Sequence, residues 1–441
     1  MTRAKMLLLL LIAMCIARSA SENMRSFTMF VANSRQFVCV NTTCLPFATF
    51  MVSTIRRCQI ACLNDAQCEA ISFHSSSTYC ELFANILNYK NNLSVNYDII
   101  TMITAANGRI LTSTGWKFVG NIQKSRKYHR ASVLNNGNVL LVGGYDSVSL
   151  NNVEMYNPLT NNWTTVNAMN IARKFHAASV LTNGNVLITG GNDGVSFLKN
   201  VELYNTSTGT WTVAAQMNMQ RGAHAVSIMT NGQMLICGGD SGSVFLRSAE
   251  LYNLSANVWT TTGSMIDIRV DHTLSVLPNG KVLAVGGYNG TYINTAELYD
   301  ASTGTWTITN RMKYTRQYHT ASVLSNGKVL VIGGYNGIYL GTAELYDPLA
   351  GNWTTTRNMT FTRAYHTASV LSDGKVLVVG GYNGVYLNSA ELYDPSSDSW
   401  TITDAMNTTR SLHTTSILPT GKVLVVGGES NSILLNSVEV Y

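Results

Sequence analysis

Seven histidines recur at nearly equal spacing along the last three quarters of the chain. Successive histidines are separated by 47, 48, 48, 47, 47 and 47 residues. Imidazole nitrogens are common metal ligands, so the pattern raises the question of a metal site. Equivalent residues on different units of a wide ring would lie too far apart to share one ion. We therefore expect a structural role for all seven: His129, His176, His224, His272, His319, His366 and His413.

An arginine precedes each of these histidines by three residues. Seven glutamates of a recurring Glu-x-Tyr sequence, from Glu154 to Glu439, match the arginines in number. A buried charge is costly unless it is paired, so Arg–Glu or Arg–carbonyl contacts are one interpretation. Ligand binding by exposed guanidinium groups is the other. Both remain open for Arg126, Arg173, Arg221, Arg269, Arg316, Arg363 and Arg410.

The elements that must position these residues are visible in the unit from His366 to Trp400. Asp373-Gly374 predicts a hairpin turn between two strands, and Gly380-Gly381 ends the second of them. A loop, a third strand, the Asp394-Pro395 turn and a fourth strand follow. A period of this length with four strands per unit predicts a β-propeller, because sheets stacked face to face bury both faces of the second strand.

The succession R-x-x-H, G-G, E-x-Y-[DN] and W resembles the kelch repeat, which builds β-propellers. Seven in-phase copies cover roughly residues 115–441, so the resemblance implies an all-β, seven-bladed kelch propeller. The fold does not by itself imply a function. In the kelch family, arginines near the start of the first strand can reach the mouth of the channel and bind acidic partners.

The strand count predicts how the ring closes. Each of the first six units has one tryptophan in its fourth strand, whereas the last unit has none of its own. One further tryptophan precedes the first strand of the first unit. We therefore expect an N-terminal strand at Trp116 to complete the last blade and to remove an unpaired edge. The tryptophans are Trp116, Trp163, Trp211, Trp259, Trp306, Trp353 and Trp400.

Tyrosine-rich loops join the second and third strands of three units. In an up-and-down blade, these loops and the segments that enter the first strands lie on one face of the disc. That face should also carry Tyr128, Tyr318 and Tyr365, which directly precede histidines. Tyrosine with Asn and Gly suits protein recognition or stacking on sugar rings, and packing between adjacent loops is the structural alternative. The candidate ligand-binding residues are Tyr288, Tyr292, Tyr335, Tyr339, Tyr382 and Tyr386.

The first 19 residues predict a secretory signal peptide. Arg3 and Lys5 precede an apolar run of 12 residues, and small residues flank Arg18 at a cleavage site. A membrane anchor is the alternative, but this run is shorter than the roughly 20 residues needed to span a bilayer. We therefore expect a secreted, extracellular protein.

Residues 24–104 differ in composition and contain six of the eight cysteines, which in a secreted chain predicts disulfides rather than a zinc site. A helix is expected over residues 53–64. The stretches from Cys58 to Cys62, Cys68 to Phe73 and Tyr79 to Phe83 resemble the PAN/apple module, a small disulfide-rich α+β adhesion unit that binds protein or carbohydrate. The resemblance implies the pairs Cys58–Cys80 and Cys62–Cys68 and leaves Cys39 with Cys44, although six cysteines allow 15 connectivities.

The enzymatic alternative is a galactose-oxidase-like copper oxidase, which shares the kelch propeller, or another carbohydrate-active enzyme. The copper oxidases crosslink a cysteine to a tyrosine at the metal and take a ligand from a further C-terminal domain. Cys237, the only propeller cysteine, lies in an apolar strand, and the chain ends with the last blade. Neither aspartate-box turns nor a nucleophile beside a base is found. We therefore expect no catalytic activity and no cofactor.

Charge and sequons complete the prediction of a secreted binding or adhesion protein. The formal net charge of +6 falls to +3 without the signal peptide, and only 12% of residues are charged, so neither nucleic acid nor a membrane surface is an expected partner. An extracellular protein or glycan is the expected ligand. The nine N-x-[ST] sequons begin at Asn41, Asn92, Asn162, Asn205, Asn253, Asn289, Asn352, Asn358 and Asn407.

Overall fold

The computed structural model describes residues 115–441 in full and, within residues 1–114, only the backbone of eight short strands. These two parts form separate compact units, 1–114 and 115–441. The side chains of the six cysteines that we expect to form disulfides, the expected helix over 53–64 and most of the predicted signal peptide lie outside the described residues. No helix in the described part of the chain is long and apolar enough to cross a membrane.

The strands of the first unit form three antiparallel sheets. The largest has the order β4-β6-β5-β8, and the pairs β1-β2 and β3-β7 form the other two. The strands are β1 (Leu9–Leu11), β2 (Met29–Val31), β3 (Gln36–Phe37), β4 (Ala48–Met51), β5 (Ala70–His74), β6 (Tyr79–Phe83), β7 (Leu93–Ser94) and β8 (Ile99–Ile103).

The second unit is a seven-bladed propeller in which each blade is a four-stranded antiparallel sheet. β9 (Lys117–Asn121) precedes blade 1. Blade 1 is β10 (Arg130–Val133), β11 (Val139–Val142), β12 (Val153–Asn157) and β13 (Asn162–Val166). Blade 2 is β14 (Ala177–Val180), β15 (Val186–Thr189), β16 (Val201–Asn205) and β17 (Thr210–Ala214). Blade 3 is β18 (Ala225–Ile228), β19 (Met234–Cys237), β20 (Ala249–Asn253) and β21 (Val258–Thr262).

The remaining blades repeat the arrangement. Blade 4 is β22 (Thr273–Val276), β23 (Val282–Val285), β24 (Ala296–Asp300) and β25 (Thr305–Thr309). Blade 5 is β26 (Thr320–Val323), β27 (Val329–Ile332), β28 (Ala343–Asp347) and β29 (Asn352–Thr355). Blade 6 is β30 (Thr367–Val370), β31 (Val376–Val379), β32 (Ala390–Asp394) and β33 (Ser399–Thr403). Blade 7 contains β34 (Thr414–Ile417), β35 (Val423–Val426) and β38 (Ser437–Val440), with a small hairpin of β36 (Glu429–Ser430) and β37 (Ile433–Leu434).

The fourth strand of blade 7 comes from the start of the propeller. β9 pairs with β38 in the order β34-β35-β38-β9, and the tryptophan indole of Trp116, directly before β9, packs 5.1 Å from the Tyr441 ring. Its Nε1 donates a hydrogen bond of 2.8 Å to the backbone oxygen of Asp404 in the neighbouring blade. The two ends of the propeller sequence are therefore joined by pairing within one sheet.

The hydrophobic core lies between the blades. In β31, Val376 and Val378 pack against blade 5, whereas Leu377 and Val379 pack against blade 7. All four residues are fully buried, which explains why the second strand of each blade is apolar on both faces. Burying one such side chain stabilises a fold by roughly 1.5–3 kcal/mol, so stacking of the sheets is the main source of stability.

Candidate ligand-binding site on the propeller axis

The seven arginines are fully buried in a network that joins the segment entering each blade to its third strand. In blade 6, Arg363 donates 2.6 Å to the Gly380 carbonyl and 2.8 Å to the Glu391 carboxylate. Glu391 also accepts the backbone N–H groups of Thr360 and Phe361. The equivalent arginine of every blade is 0% exposed and pairs with the glutamate of the same blade. The arginines are thus part of the scaffold and do not reach a ligand, which corrects their assignment as candidate binding residues.

The histidines form a buried ring around the axis. His413 contacts the Thr367 hydroxyl of the preceding blade at 2.9 Å through Nε2, and His129 contacts Thr414 in the same way at 3.0 Å. Burial and the neighbouring arginine lower the pKa of His129 to about 3. Within residues 115–441, no group of three or more His, Cys, Asp or Glu side chains is arranged to hold a metal ion. The imidazoles therefore act as neutral spacers between neighbouring blades.

The Gly-Gly pairs allow this close packing at the blade junctions. Gly380 has a φ of 61°, in the left-handed region. A Cβ at this position would lie 2.6 Å from the Arg410 carbonyl oxygen and 2.8 Å from the His413 ring. Any other residue would therefore force the adjacent blades apart.

An inner ring of side chains surrounds the channel mouth, one residue before each histidine. All seven have a positive φ between 50° and 58°. This conformation is unfavourable for residues other than glycine, so the surrounding structure must impose it. The inner ring consists of Tyr128, Phe175, Ala223, Asp271, Tyr318, Tyr365 and Leu412, and all seven line one cavity.

This cavity, which we call the axial pocket, has a volume of about 480 Å³, within the range of small-ligand sites. Phe197, Phe245 and Tyr288 add aromatic walls, and Asp240, Gln317 and Arg130 add polar groups. A second cavity of about 270 Å³ is lined by most of the same inner-ring residues together with histidines. The pocket therefore opens at the channel mouth and continues along the axis.

Arg130 is a charged residue at a channel position where no other blade carries a charge. It directly follows His129, at a position where the other six blades carry only Ala or Thr. Its side chain is exposed to the channel, and no hydrogen bond or ion pair to it is found among the described residues. Because protein surrounds it, burial lowers the pKa of Arg130, while Asp271 acts in the opposite direction.

Asp271 is the inner-ring residue of blade 4 and is only partly exposed. Burial raises its pKa to about 7, assisted by the negative charge of Asp240 and opposed by Tyr318 and Arg130. Burial also raises the pKa of Tyr318 and Tyr365, whose rings stack with centroids 4.2 Å apart. The pocket thus contains a hydrogen-bond acceptor that titrates near neutrality beside a pair of stacked phenols.

The tyrosine loops pack into a continuous row, the aromatic ladder. Ring centroids of successive members are 4.9 to 6.0 Å apart. The final hydroxyl donates 2.6 Å to Glu429, which also pairs with Lys127. The members are Phe245, Tyr288, Tyr292, Tyr335, Tyr339, Tyr382 and Tyr386. Of the six tyrosines selected from the sequence, Tyr288 lines the axial pocket, and the other five line neither cavity.

Sequence reasoning missed Arg130, Asp271, Phe175 and Ala223. Phe175, Ala223 and Asp271 stand at inner-ring positions where three of the seven repeats carry tyrosine, and Arg130 stands where the other six carry Ala or Thr. These departures were the available signal. Tyr128, Tyr318 and Tyr365, which were expected on this face, do line the pocket.

Cys237 does not fit the copper site that the galactose-oxidase alternative implies. It is fully buried in a cluster with Met265 and Ala284, and its sulfur lies 3.4 Å from His272 Nε2. Burial raises the pKa of this thiol to about 12, so it stays protonated at neutral pH. Cys237 therefore has the burial and protonation state of a core residue of the propeller.

The fold and the repeated Arg–Glu network define a seven-bladed β-propeller. The KLHDC2/KLHL20/DRC7 Kelch-repeats domain model matches residues 105–268 and 254–428, and the chain belongs to this family of Kelch-repeat proteins. No curated protein is significantly similar in sequence.

Solved structures support the fold. A fungal alcohol oxidase of the AA5 family, determined in complex with copper, has a TM-score of 0.62 and 20% sequence identity; the match covers 74% of this chain and 76% of that one. In all, 978 chains of solved structures match significantly, so the architecture is shared by many proteins and does not select a function.

Proposed function

We propose that the chain is a secreted, non-catalytic binding protein that recognises an extracellular carbohydrate or protein ligand in its axial pocket. The aromatic ladder forms the outer wall of the recognition face, and the PAN/apple-like module provides a second contact surface. The signal-peptide sequence and the cysteine-rich segment support the extracellular location. Several sequons fit a glycoprotein, although the Asn407 amide nitrogen already donates to Trp116 and Glu439 and is a poor acceptor of a glycan.

The observation that carries this proposal is the loss of repeat symmetry at the axial pocket. The buried Arg–Glu network is the same in every blade because it maintains the fold. The inner ring instead combines three tyrosines with Phe, Ala, Asp and Leu, and Arg130 stands where the other blades have small residues. Seven equivalent backbone positions thus present a mixture of side chains, as expected of a site that recognises one ligand.

The pocket chemistry favours binding. Aromatic faces can stack on a ligand, Arg130 can donate hydrogen bonds, and Asp240 and Asp271 can accept them. The alternative is a carbohydrate-active enzyme. Two observations favour it: two carboxylates line one pocket, and the pKa of Asp271 is near neutral. Turnover of any member of a sugar panel by the purified protein would replace the binding proposal with this alternative.

The test is an array of glycans and extracellular proteins probed with the secreted full-length protein. Tyr318→Ala should abolish binding, and it should fold because Ala223 occupies the equivalent backbone position in blade 3. Tyr314→Ala is the matched control, since Tyr314 belongs neither to the pocket lining nor to the aromatic ladder. Unchanged binding by Tyr318→Ala, with loss on deletion of residues 24–104, would transfer recognition to the disulfide-rich segment and overturn the proposal for the pocket.

A further inference from the structure

The axial pocket is widened on one side by blade 3. The two residues before its histidine are Gly222 and Ala223, whereas the inner-ring position is Tyr in blades 1, 5 and 6. Both Ala223 and the neighbouring Phe175 line the pocket. A Cβ added to Gly222 would lie 2.7 Å from the Phe197 ring, so the absence of a side chain there accommodates that ring.

We call the space over Ala223 the lateral subsite, because the Phe197 ring already fills the space over Gly222. Phe175 and Phe197 of blade 2, Phe245 of blade 3, and Asp271 and Tyr288 of blade 4 line the same cavity. Asp240 also lines it, at a loop position where four blades have tyrosine. One Asp240 oxygen accepts the Gly242 N–H at 2.8 Å. The other has no hydrogen-bond partner among the described residues and remains free to accept one.

The polar groups of the pocket do not favour a ligand of either charge. Asp240 and Asp271 would attract a cation, but Arg130 lines the same cavity and would repel it. An anion would be attracted by Arg130 but repelled by Asp240 and Asp271. A neutral ligand with many hydroxyl groups uses both kinds of partner, since each hydroxyl can donate to a carboxylate or accept from a guanidinium. Its apolar C–H face can pack on the surrounding aromatic rings.

We propose that the lateral subsite binds one ring of a neutral carbohydrate, with its apolar face against the phenylalanines and its hydroxyls bonded to Asp240, Asp271 and Arg130. This inference rests on the proposed function and narrows it from extracellular ligands in general to sugars. The pocket volume of about 480 Å³ leaves room for further atoms of the ligand along the axis.

The first experiment fills the subsite without disturbing the fold. Ala223→Tyr places in blade 3 the residue that blades 1, 5 and 6 carry at the same backbone conformation. Ala256→Tyr makes the same change in an exposed turn of the same blade, away from the pocket, and is the matched control. On an array of neutral and acidic oligosaccharides together with extracellular proteins, the wild type and Ala256→Tyr should bind neutral glycans. Ala223→Tyr should bind them at least tenfold more weakly.

The second experiment tests the carboxylate. Asp240→Asn keeps an oxygen for the Gly242 N–H but replaces the free acceptor by a donor. Glycan affinity should fall about fivefold or more with no change in melting temperature, because a ligand hydroxyl loses its acceptor.

Three outcomes would overturn the proposal that the lateral subsite binds a sugar. Each also shows whether the proposed function of the axial pocket fails with it. Binding to proteins alone, lost in Tyr318→Ala, would leave the pocket as the site but reject carbohydrate. Glycan binding that Tyr318→Ala abolishes and Ala223→Tyr does not would reject the lateral subsite. Absence of any bound glycan or protein would reject both proposals.

Discussion

Arg363 and Glu391 form a fully buried ion pair of 2.8 Å in blade 6, and both residues are 0% exposed. Each partner is held further by backbone groups, since the arginine donates to the carbonyls of Gly380 and Ser389. The pair therefore ties the segment entering the blade to its second and third strands, and the remaining six blades repeat it.

Removing one partner of this pair should strongly destabilise the propeller. Glu391→Gln leaves the Arg363 charge buried without its counter-ion, which costs about 3–5 kcal/mol. The midpoint of urea denaturation measures the loss. The partly exposed pair Lys328–Asp347, at 3.0 Å, is the control, and Asp347→Asn should shift the midpoint much less, because solvent screens this pair. Equal shifts in the two variants would contradict a structural role for the buried network.

Ring closure should depend on Trp116. Trp116→Ala removes the hydrogen bond to Asp404 and the packing on Tyr441, and a buried Trp→Ala change costs about 3–5 kcal/mol. Hydrogen exchange should accelerate first in β38 and β35, because these strands lose the support of β9.

Trp163→Ala in blade 1 is the matched control for ring closure. Trp163 packs on Tyr156 with ring centroids 5.1 Å apart, but its indole nitrogen has no hydrogen-bond partner within residues 115–441 and its blade is continuous in sequence. Its effect should be smaller and confined to blade 1. Faster exchange in blade 7 of this variant would count against the closure mechanism.

The propeller should lose stability as the pH falls below about 6.5. All seven ring histidines have a pKa below the ordinary value, chiefly because of burial, and those of His129 and His319 fall to about 3. Below pH 6.5 the unfolded chain binds protons that the folded ring does not, so each histidine contributes a loss of up to about 1.4 kcal/mol per pH unit. Melting temperatures measured between pH 7.5 and 5 test this, and a constant value over that range would contradict it.

Asp271 should have the opposite effect to the histidines on the pH dependence of stability. Its pKa of about 7 in the folded state lies above the ordinary value of 3.8 for an aspartate, so the folded protein binds the extra proton between these values. Its contribution to stability therefore declines as the pH rises from about 4 to 7. Asp271→Asn removes this ionisation and should raise stability at pH 8 by about 1–3 kcal/mol relative to wild type, with little change at pH 4. Denaturation midpoints at the two pH values measure the difference, and Asp373→Asn in an exposed hairpin is the control.

The repeat architecture could be predicted from sequence because local chemistry is copied with every unit. Asp373-Gly374 produces a turn and Val376–Val379 a strand buried on both faces, and the same signals recur with a constant period. Trp116 precedes the first unit, and the last unit lacks a tryptophan of its own. This difference indicated that the first and last strands share a blade. Each of these inferences needs only neighbouring residues and the count of units.

The tertiary structure alone decided which charges are buried and which residues meet at the axis. Arg363 and Arg130 are both arginines near a first strand, yet one lies in a sealed ion pair and the other faces the channel. Asp271 and Arg130 are far apart in the chain and line one cavity because the ring brings every first strand to the axis. The left-handed backbone before each histidine aims the inner ring at the mouth, and that conformation arises from packing between blades, which no local pattern of residues encodes.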